Sequence, residues 1–138
     1  MDERTPPQQT ADYEVRFEHR PGYLYAHVTG SQDSFEIRIG FWNEVAAECR
    51  RTQAQCLLVR DDLEGVPPPI EELARVIQGM KGKDLEGMRI AYIEPDAAWM
   101  SLMEMAEVIA RESGFLPHVF GDEEEGVRWL CYGEDEQA

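Results

Sequence analysis

The stretch Gln55–Arg60, which reads QCLLVR, decides how this chain folds. It is followed at once by the acidic segment DDLEGV at 61–66 and by three prolines at 67–69. A short apolar run bounded by charge and proline is typical of a strand buried on both faces of a sheet. The loop after such a strand is where an open α/β sheet usually places its ligand or partner. The sequence therefore predicts a central strand with an acidic loop at its functional edge.

The composition limits both the architecture and the partners. A chain of 138 residues that is 43% hydrophobic and 30% charged is expected to form one domain with one core. Its formal charge of −15 opposes binding to nucleic acid and to anionic lipid surfaces. No run approaches the roughly eighteen apolar residues of a membrane span, and the acidic start is unlike a signal peptide. We expect a cytoplasmic protein that contacts neither nucleic acid nor a membrane.

The cysteines and histidines do not form a metal-site pattern. The three cysteines, Cys49, Cys56 and Cys131, include no C-x-x-C pair, and the three histidines are scattered along the chain. Free thiols in a reducing cytosol are the plain interpretation. We therefore predict no metal and no cofactor.

The first part of the domain has the alternation of a β-hairpin. Apolar and polar residues alternate from Tyr13 to Phe17 and again from Tyr23 to Thr29, on either side of a turn at 20–22. The polar, proline-containing residues 1–11 are predicted to be a flexible arm. The order of elements therefore begins with two antiparallel strands.

A helix with two apolar stripes is predicted after Gly30. Asp33 is the expected cap, with Glu36 three residues later. One stripe contains Phe35, Ile39, Trp42, Ala46 and Cys49, and a second contains Ile37, Phe41 and Val45. The second stripe lies either under another loop of the domain or against a partner subunit or protein. A competing local interpretation has a strand at 35–39 and a helix that starts only at Gly40.

The rest of the chain alternates helices and strands. One predicted helix begins near Ile70. A second runs from about 97 to 113 and stops at Gly114, and a third ends the domain around Leu130. Predicted strands lie at 88–93 and 116–120. The order is ββαβαβαβα within a domain at 12–131, and residues 132–138 form an acidic tail.

The order of elements, with the segments at 28–30, 57–59, 89–92 and 119–130, resembles a known family. It is similar to the small stand-alone STAS-like, or SpoIIAA-like, proteins, the branch similar to bacterial anti-sigma-factor antagonists. The resemblance covers about residues 13–131 and rests on the pattern of elements. It implies a single α/β domain with a mixed five-stranded sheet, about four helices mainly on one face, and a role in binding rather than in chemistry.

The regulatory switch of those antagonists does not carry over to this chain. They have a phosphorylatable serine in the loop after the central strand. Residues 61–76 contain neither serine nor threonine. In its place stand Asp61, Asp62 and Glu64, which we predict as an acidic binding loop.

The same carboxylates suggest an acidic active site as an alternative. Together with Glu94 and Asp96 they have the chemistry to ligate Mg²⁺ or accept a phosphoryl group. Such a site also needs a fixed cation, and no lysine follows the last strand. No nucleophile elbow and no P-loop are present either. We therefore assign no catalytic residue.

Three hypotheses follow, and the first is a non-enzymatic STAS-like regulatory module. It contacts a protein partner, or itself as a homodimer, through the acidic loop and the stripe of Ile37, Phe41 and Val45. The second is a carrier of a small apolar or lipid-type ligand. Its pocket would be lined by Trp42, Trp99, Met100, Met103 and Met105. The third is a Mg²⁺-dependent receiver or enzyme with an acidic site.

Overall fold

The computed structural model of the chain describes residues 12–132. The predicted arm at 1–11 and residues 133–138 of the predicted acidic tail at 132–138 lie outside the described residues, and Tyr132 belongs to the last helix. Between them the elements follow the predicted order ββαβαβαβα, and the predicted fold class is confirmed. The elements are β1 (Glu14–Arg20), β2 (Tyr23–Gly30), α1 (Phe35–Thr52), β3 (Cys56–Leu63), α2 (Ile70–Gly79), β4 (Arg89–Ile93), α3 (Met100–Glu112), β5 (Leu116–Phe120) and α4 (Glu123–Tyr132).

The five strands form one mixed sheet in the order β1-β2-β3-β4-β5. β1 is antiparallel to β2, and the remaining neighbours are parallel. The β1–β2 turn consists of Pro21 and Gly22, where Gly22 has φ +88°. Proline followed by a residue with positive φ is the combination that a tight turn of this kind requires. The predicted hairpin is confirmed.

The path of the chain explains which face each helix covers. From β2 to β5 each strand is laid beside the previous one in the same direction, and right-handed crossovers then place α1, α2 and α3 on one face. This face holds the larger core, which includes Leu24, Val28, Leu57 and Val59. Helix α4, the last element of the described residues, covers the other face, where Trp129 and Leu130 pack on Tyr25, Leu58, Ala91 and Ile93.

The structure decides between the two alternatives for the start of α1, and it corrects the cap of this helix and the end of β3. Helix α1 starts at Phe35, so the alternative of a strand at 35–39 is wrong. Its cap is Ser34, whose hydroxyl accepts from the Ile37 amide at 3.1 Å, while Asp33 has another role described below. β3 continues to Leu63, three residues beyond the predicted strand end. Asp61 and Asp62 therefore belong to a strand.

The later helices follow their local signals closely. Asp96 is a helix cap: it accepts from the Ala98 amide at 2.9 Å and opens a 3-10 turn at Ala97–Trp99 that leads into α3. Gly114 has φ +101°, as expected of a left-handed stop. Within residues 12–132, no helix combines the length and the apolar character that crossing a bilayer requires.

Candidate functional site

A partly open cavity of about 110 Å³ lies between helices α1, α2 and α3 and the sheet. Arg38 and Glu107 are the charged residues of its wall, and Tyr92 adds a hydroxyl group. The remaining wall is apolar or aromatic and is formed by Trp42, Leu73, Val76, Ile77, Met80, Leu85, Ile90, Met103, Ala106, Ala110, Phe115, Pro117 and Val119. Protein interiors are close-packed, so a cavity of this size is unusual. Cavities of this kind are where small ligands bind.

One end of the cavity is a buried hydrogen-bond cluster centred on Arg38. The guanidinium binds Asp33 through two bonds, Nε to Oδ1 at 3.0 Å and Nη2 to Oδ2 at 2.7 Å. It also donates from Nη2 to Asp61 at 2.9 Å and from Nη1 to the Tyr92 hydroxyl at 2.8 Å. The Tyr92 hydroxyl in turn donates to Asp61. The cluster joins α1 to β3 and β4 at the carboxyl end of the parallel strands.

The cluster fixes the protonation of its members. Burial alone lowers the pKa of the Arg38 guanidinium, but Tyr92, Asp61 and Asp33 more than offset it and hold this pKa well above its ordinary value. Burial raises the pKa of the Tyr92 hydroxyl, which therefore stays protonated and remains a donor. Burial also raises the pKa of Asp33, although Arg38 opposes that shift. Arg38 is consequently a permanent charge beside the cavity.

Glu94 adds a third buried carboxyl group, after those of Asp33 and Asp61, near this cluster. It is 5% exposed, and its Oε2 accepts from the Asp96 amide at 3.0 Å. Burial, and next the negative charge of Asp61, raise the pKa of Glu94 to about 7. Its charge therefore changes near neutral pH.

Glu107 lies in the wall of the cavity and is held by hydrogen bonds. Its Oε1 accepts from the Val119 amide at 2.9 Å, and its Oε2 accepts from Arg111 at 3.2 Å. The bond from Val119 holds α3 against β5, whereas Arg111 lies on α3 itself, four residues after Glu107. Both carboxylate oxygens already have donors, so Arg38 is the principal polar group that faces the cavity.

The structure separates the three residues of the predicted acidic loop. Asp61 is 3% exposed and belongs to the Arg38 cluster, so its prediction as a surface contact is wrong. Asp62 lies on the opposite face of the sheet, because adjacent strand residues point in opposite directions. Glu64 is exposed after the end of β3. Of the predicted acidic loop, only the exposed carboxylate of Glu64 and the half-buried carboxylate of Asp62 are accessible to a partner.

Asp62 belongs to an ionic network on the face that carries α4. Its Oδ2 lies 2.7 Å from His27 Nε2 and accepts from Arg60 Nε at 2.8 Å. Burial raises the pKa of Asp62, but the bonds from Arg60 and His27 outweigh burial and leave it below its usual value. Arg60 also donates to Glu123 of α4 at 3.0 Å. The network connects β2 and β3 to the start of α4.

The predicted partner-contact stripe lies in the core. Ile37 is 7% exposed, and Phe41 and Val45 are fully buried. All three belong to the core on the α1 side of the sheet, so the prediction that they form a partner surface is wrong for the folded chain. The other stripe contributes partly buried residues such as Ile39 and Trp42, and Trp42 stacks on the Tyr92 ring with centroids 6.4 Å apart.

The pocket residues predicted for a ligand carrier are partly brought together. Trp42 and Met103 line the cavity, whereas Trp99, Met100 and Met105 do not. Met105 is 53% exposed on the outer side of α3. Within residues 12–132, no three His, Cys, Asp or Glu side chains are grouped to hold a metal ion. Asp61 and Asp62 in particular point to opposite faces of β3.

Sequence reasoning missed Arg38, although the sequence carried a signal for it. At 100° per residue, Arg38 lies within about 60° of Phe41, Val45 and Cys49 on the helix. Asp61 likewise follows Leu57 and Val59 at the period of one strand face. A positive charge and a negative charge on two core-facing positions predict a buried ion pair, because an unpaired buried charge is very costly.

Comparison with known proteins bears on the fold. No family model matches the sequence, and no curated protein matches it. A crystal structure of an uncharacterized DUF3478-family protein from Shewanella loihica PV-4, described as having a SpoIIAA-like fold, superimposes with a TM-score of 0.51. It is 17% identical, and the match covers 86% of this chain and 93% of that chain. The fold of this chain is SpoIIAA-like. At this identity the likeness concerns architecture alone, so any function must be argued from the SpoIIAA-like chain's own residues.

Proposed function

We propose that this SpoIIAA-like protein binds a small apolar ligand, or the apolar end of a larger one, in the cavity beneath α2 and α3. The observation that carries the proposal is the cavity itself, a space of about 110 Å³ in an otherwise packed core with an almost entirely apolar wall. An engineered apolar cavity of about 150 Å³ takes up benzene or xenon, and the mostly apolar wall here favours ligands of the same kind. Binding without chemistry is the role that these features favour.

The volume limits what the cavity accommodates. Sites for drug-sized ligands usually enclose roughly 300–1,000 Å³. A cavity of about 110 Å³ encloses only a short chain or a small ring, so a whole lipid is too large for it. The proposal narrows the earlier carrier hypothesis to a small molecule, or to one end of a molecule that extends through the opening.

The alternative of a protein-contact module has less structural support. It rested on Ile37, Phe41 and Val45, which are buried. It also rested on the acidic loop, in which Asp61 is paired inside the domain, Asp62 is half-buried and Glu64 is exposed. Met105 and Val108 are exposed one turn apart on α3, and a pair of apolar side chains is common on protein surfaces. Ligand binding is therefore the function that the geometry supports better.

Methionine methyl NMR tests the proposal directly. Met80 and Met103 line the cavity, and the exposed Met105 provides an internal control. Titration with xenon, and separately with pentan-2-one, is expected to shift the methyl signals of Met80 and Met103 saturably and to leave that of Met105 unmoved. Native mass spectrometry of the purified protein checks for a retained ligand.

A pair of matched substitutions places the binding in the cavity. Ala110→Leu adds three carbons to the cavity wall, whereas Val108→Leu changes the outer side of the same helix, where Val108 is 56% exposed. Ala110→Leu is expected to abolish the shifts, and Val108→Leu to preserve them. Equal binding by both folded variants, or a Met105 shift as large as that of Met103, contradicts the proposal.

A further inference from the structure

We infer that the cavity selects an uncharged ligand with a hydrogen-bond acceptor, such as a ketone or an ester carbonyl, and rejects a carboxylate of the same size. The inference rests on the proposed function and specifies its ligand class. It follows from the hydrogen bonds of Arg38, from the charges around it, and from the volume of the cavity.

The Arg38 guanidinium retains one donor for a ligand. It has five N–H groups, of which one on Nε, two on Nη2 and one on Nη1 bind Asp33, Asp61 and Tyr92. The second N–H of Nη1 has no partner among the residues that the structure describes. Arg38 is 3% exposed and forms part of the cavity wall. A buried donor without a partner favours a ligand that brings an acceptor to it.

The charges around Arg38 oppose an anionic ligand. Two carboxyl groups, Asp33 and Asp61, already share this single guanidinium. Glu94 lies close enough that the charge of Asp61 raises its pKa. A further carboxylate in the cavity would repel these groups in surroundings of low dielectric, where such repulsion is strong. The spare donor therefore suits a neutral oxygen.

The volume sets the length of the ligand. Benzene, with six heavy atoms, occupies an engineered cavity of about 150 Å³, so 110 Å³ corresponds to roughly four or five heavy atoms. A carbonyl group with two or three further carbons fills this space, so pentan-2-one, with six heavy atoms, reaches into the opening. A longer molecule would place its acceptor and its first carbons inside and extend its remainder through the opening.

Three probes of equal chain length separate the inference from the proposed function. Pentan-2-one, pentanoate and pentane are titrated at pH 8, where Glu94 is largely ionised, and binding is followed through the methyl signals of Met80 and Met103. Pentan-2-one is expected to bind at least about tenfold more tightly than pentanoate. It is also expected to shift the guanidinium N–H resonances of Arg38, which pentane leaves unmoved.

The outcomes are distinct. Pentanoate binding as tightly as pentan-2-one overturns the inference and leaves the proposed function intact, and so does ketone binding without any change at Arg38. If none of the probes moves Met80 or Met103, the proposed function fails, and the inference fails with it.

A charge-removal pair tests the electrostatic part without disturbing Arg38. Glu94→Gln removes one nearby carboxyl and is expected to reduce the preference for ketone over carboxylate about threefold. Glu125→Gln makes the same chemical change at an exposed position on α4 and is expected to leave the preference unchanged. Equal preferences in the two variants overturn the assigned role of the buried carboxyl groups.

Discussion

The guanidinium of Arg38 on α1 donates to the carboxylate of Asp61 on β3 across 2.9 Å, and both residues are 3% exposed. This bond couples the first helix to the central strand at the edge of the cavity. One position further along β3, Asp62 forms its ion pairs on the opposite face, where its side chain is 32% exposed. Adjacent carboxylates of one strand thus lie in very different environments.

These neighbours are expected to respond differently to the same substitution. Asp61→Asn removes one partner of a buried charge cluster and should lower the free energy of unfolding by about 3–5 kcal/mol. Asp62→Asn, in a half-exposed network, should lower it by about 1 kcal/mol or less. Urea unfolding at pH 7 measures both values. Similar losses for the two variants would show that the Arg38 cluster stabilises the fold no more than the half-exposed network of Asp62 does.

The contrast between these two residues shows where sequence reasoning succeeds and where it stops. The order of elements was predictable because each has local signals, such as alternation in 13–29, the proline before α2 and Gly114 after α3. The end of β3 was misplaced, because charge after an apolar run indicates a loop unless the charges have partners. The partner of Asp61 is Arg38, which is 23 residues away in the sequence and becomes a neighbour only when α1 packs on the sheet.

The cavity was the less predictable part of the site. Trp42 and Met103 were recognised as potential pocket residues, but the space between α1, α2, α3 and the sheet depends on how far apart the packed elements lie. Periodicity identifies which face of a helix is buried, and gives no measure of the volume left beneath it. For the same reason the stripe of Ile37, Phe41 and Val45 was correctly recognised as apolar, but the sequence left open whether the domain itself or a partner covers it.

Burial of that stripe leads to a prediction about stability. Phe41 is fully buried, and Phe41→Ala should lower the free energy of unfolding by about 3–5 kcal/mol because it leaves a cavity in the core. Val108→Ala on the exposed side of α3 should change it by no more than about 0.5 kcal/mol. Thermal unfolding and light scattering measure stability and oligomeric state together. A stable Phe41→Ala variant with an altered oligomeric state would show that Phe41 contacts a partner instead.

Glu94 should give the domain a specific dependence on pH. The pKa of Glu94 is about 7 in the folded chain and has an ordinary value of 4.5, so the folded state binds this proton more tightly than the unfolded state does. The corresponding stability is fully present below pH 4.5 and is lost as the pH rises through 7. At pH 8.5 the loss amounts to at most about 3 kcal/mol.

Glu94→Gln removes this titration, because glutamine resembles the protonated acid. The gain in unfolding free energy over the wild type should be small at pH 5 and should grow to its full value by pH 8.5. Denaturant unfolding across this range, with Glu125→Gln as the control, measures the difference. A constant difference between wild type and Glu94→Gln would mean that Glu94 is already ionised in the folded protein at pH 5.

The close packing of α4 on the sheet leads to a prediction about Gly126. Replacement of a helical glycine by alanine normally stabilises a helix by about 1 kcal/mol. A Cβ atom at position 126 would lie 2.6 Å from Ile93 Cδ1 and 3.4 Å from Ala91 Cβ. Ile93 is fully buried and has little room to move. Gly126→Ala is therefore expected to destabilise the protein by about 1–3 kcal/mol.

A double-mutant cycle with Ile93→Val tests this explanation. Valine lacks the Cδ1 atom that would clash, and Ile93→Val alone should cost about 0.5–1.5 kcal/mol because it leaves a small void. In the double variant the alanine methyl group can fill that void, so Gly126→Ala with Ile93→Val should be more stable than Gly126→Ala alone. Strictly additive losses would mean that the cost at position 126 arises elsewhere than at Ile93. A favourable coupling would instead show that position 126 needs glycine because α4 packs closely against β4 there.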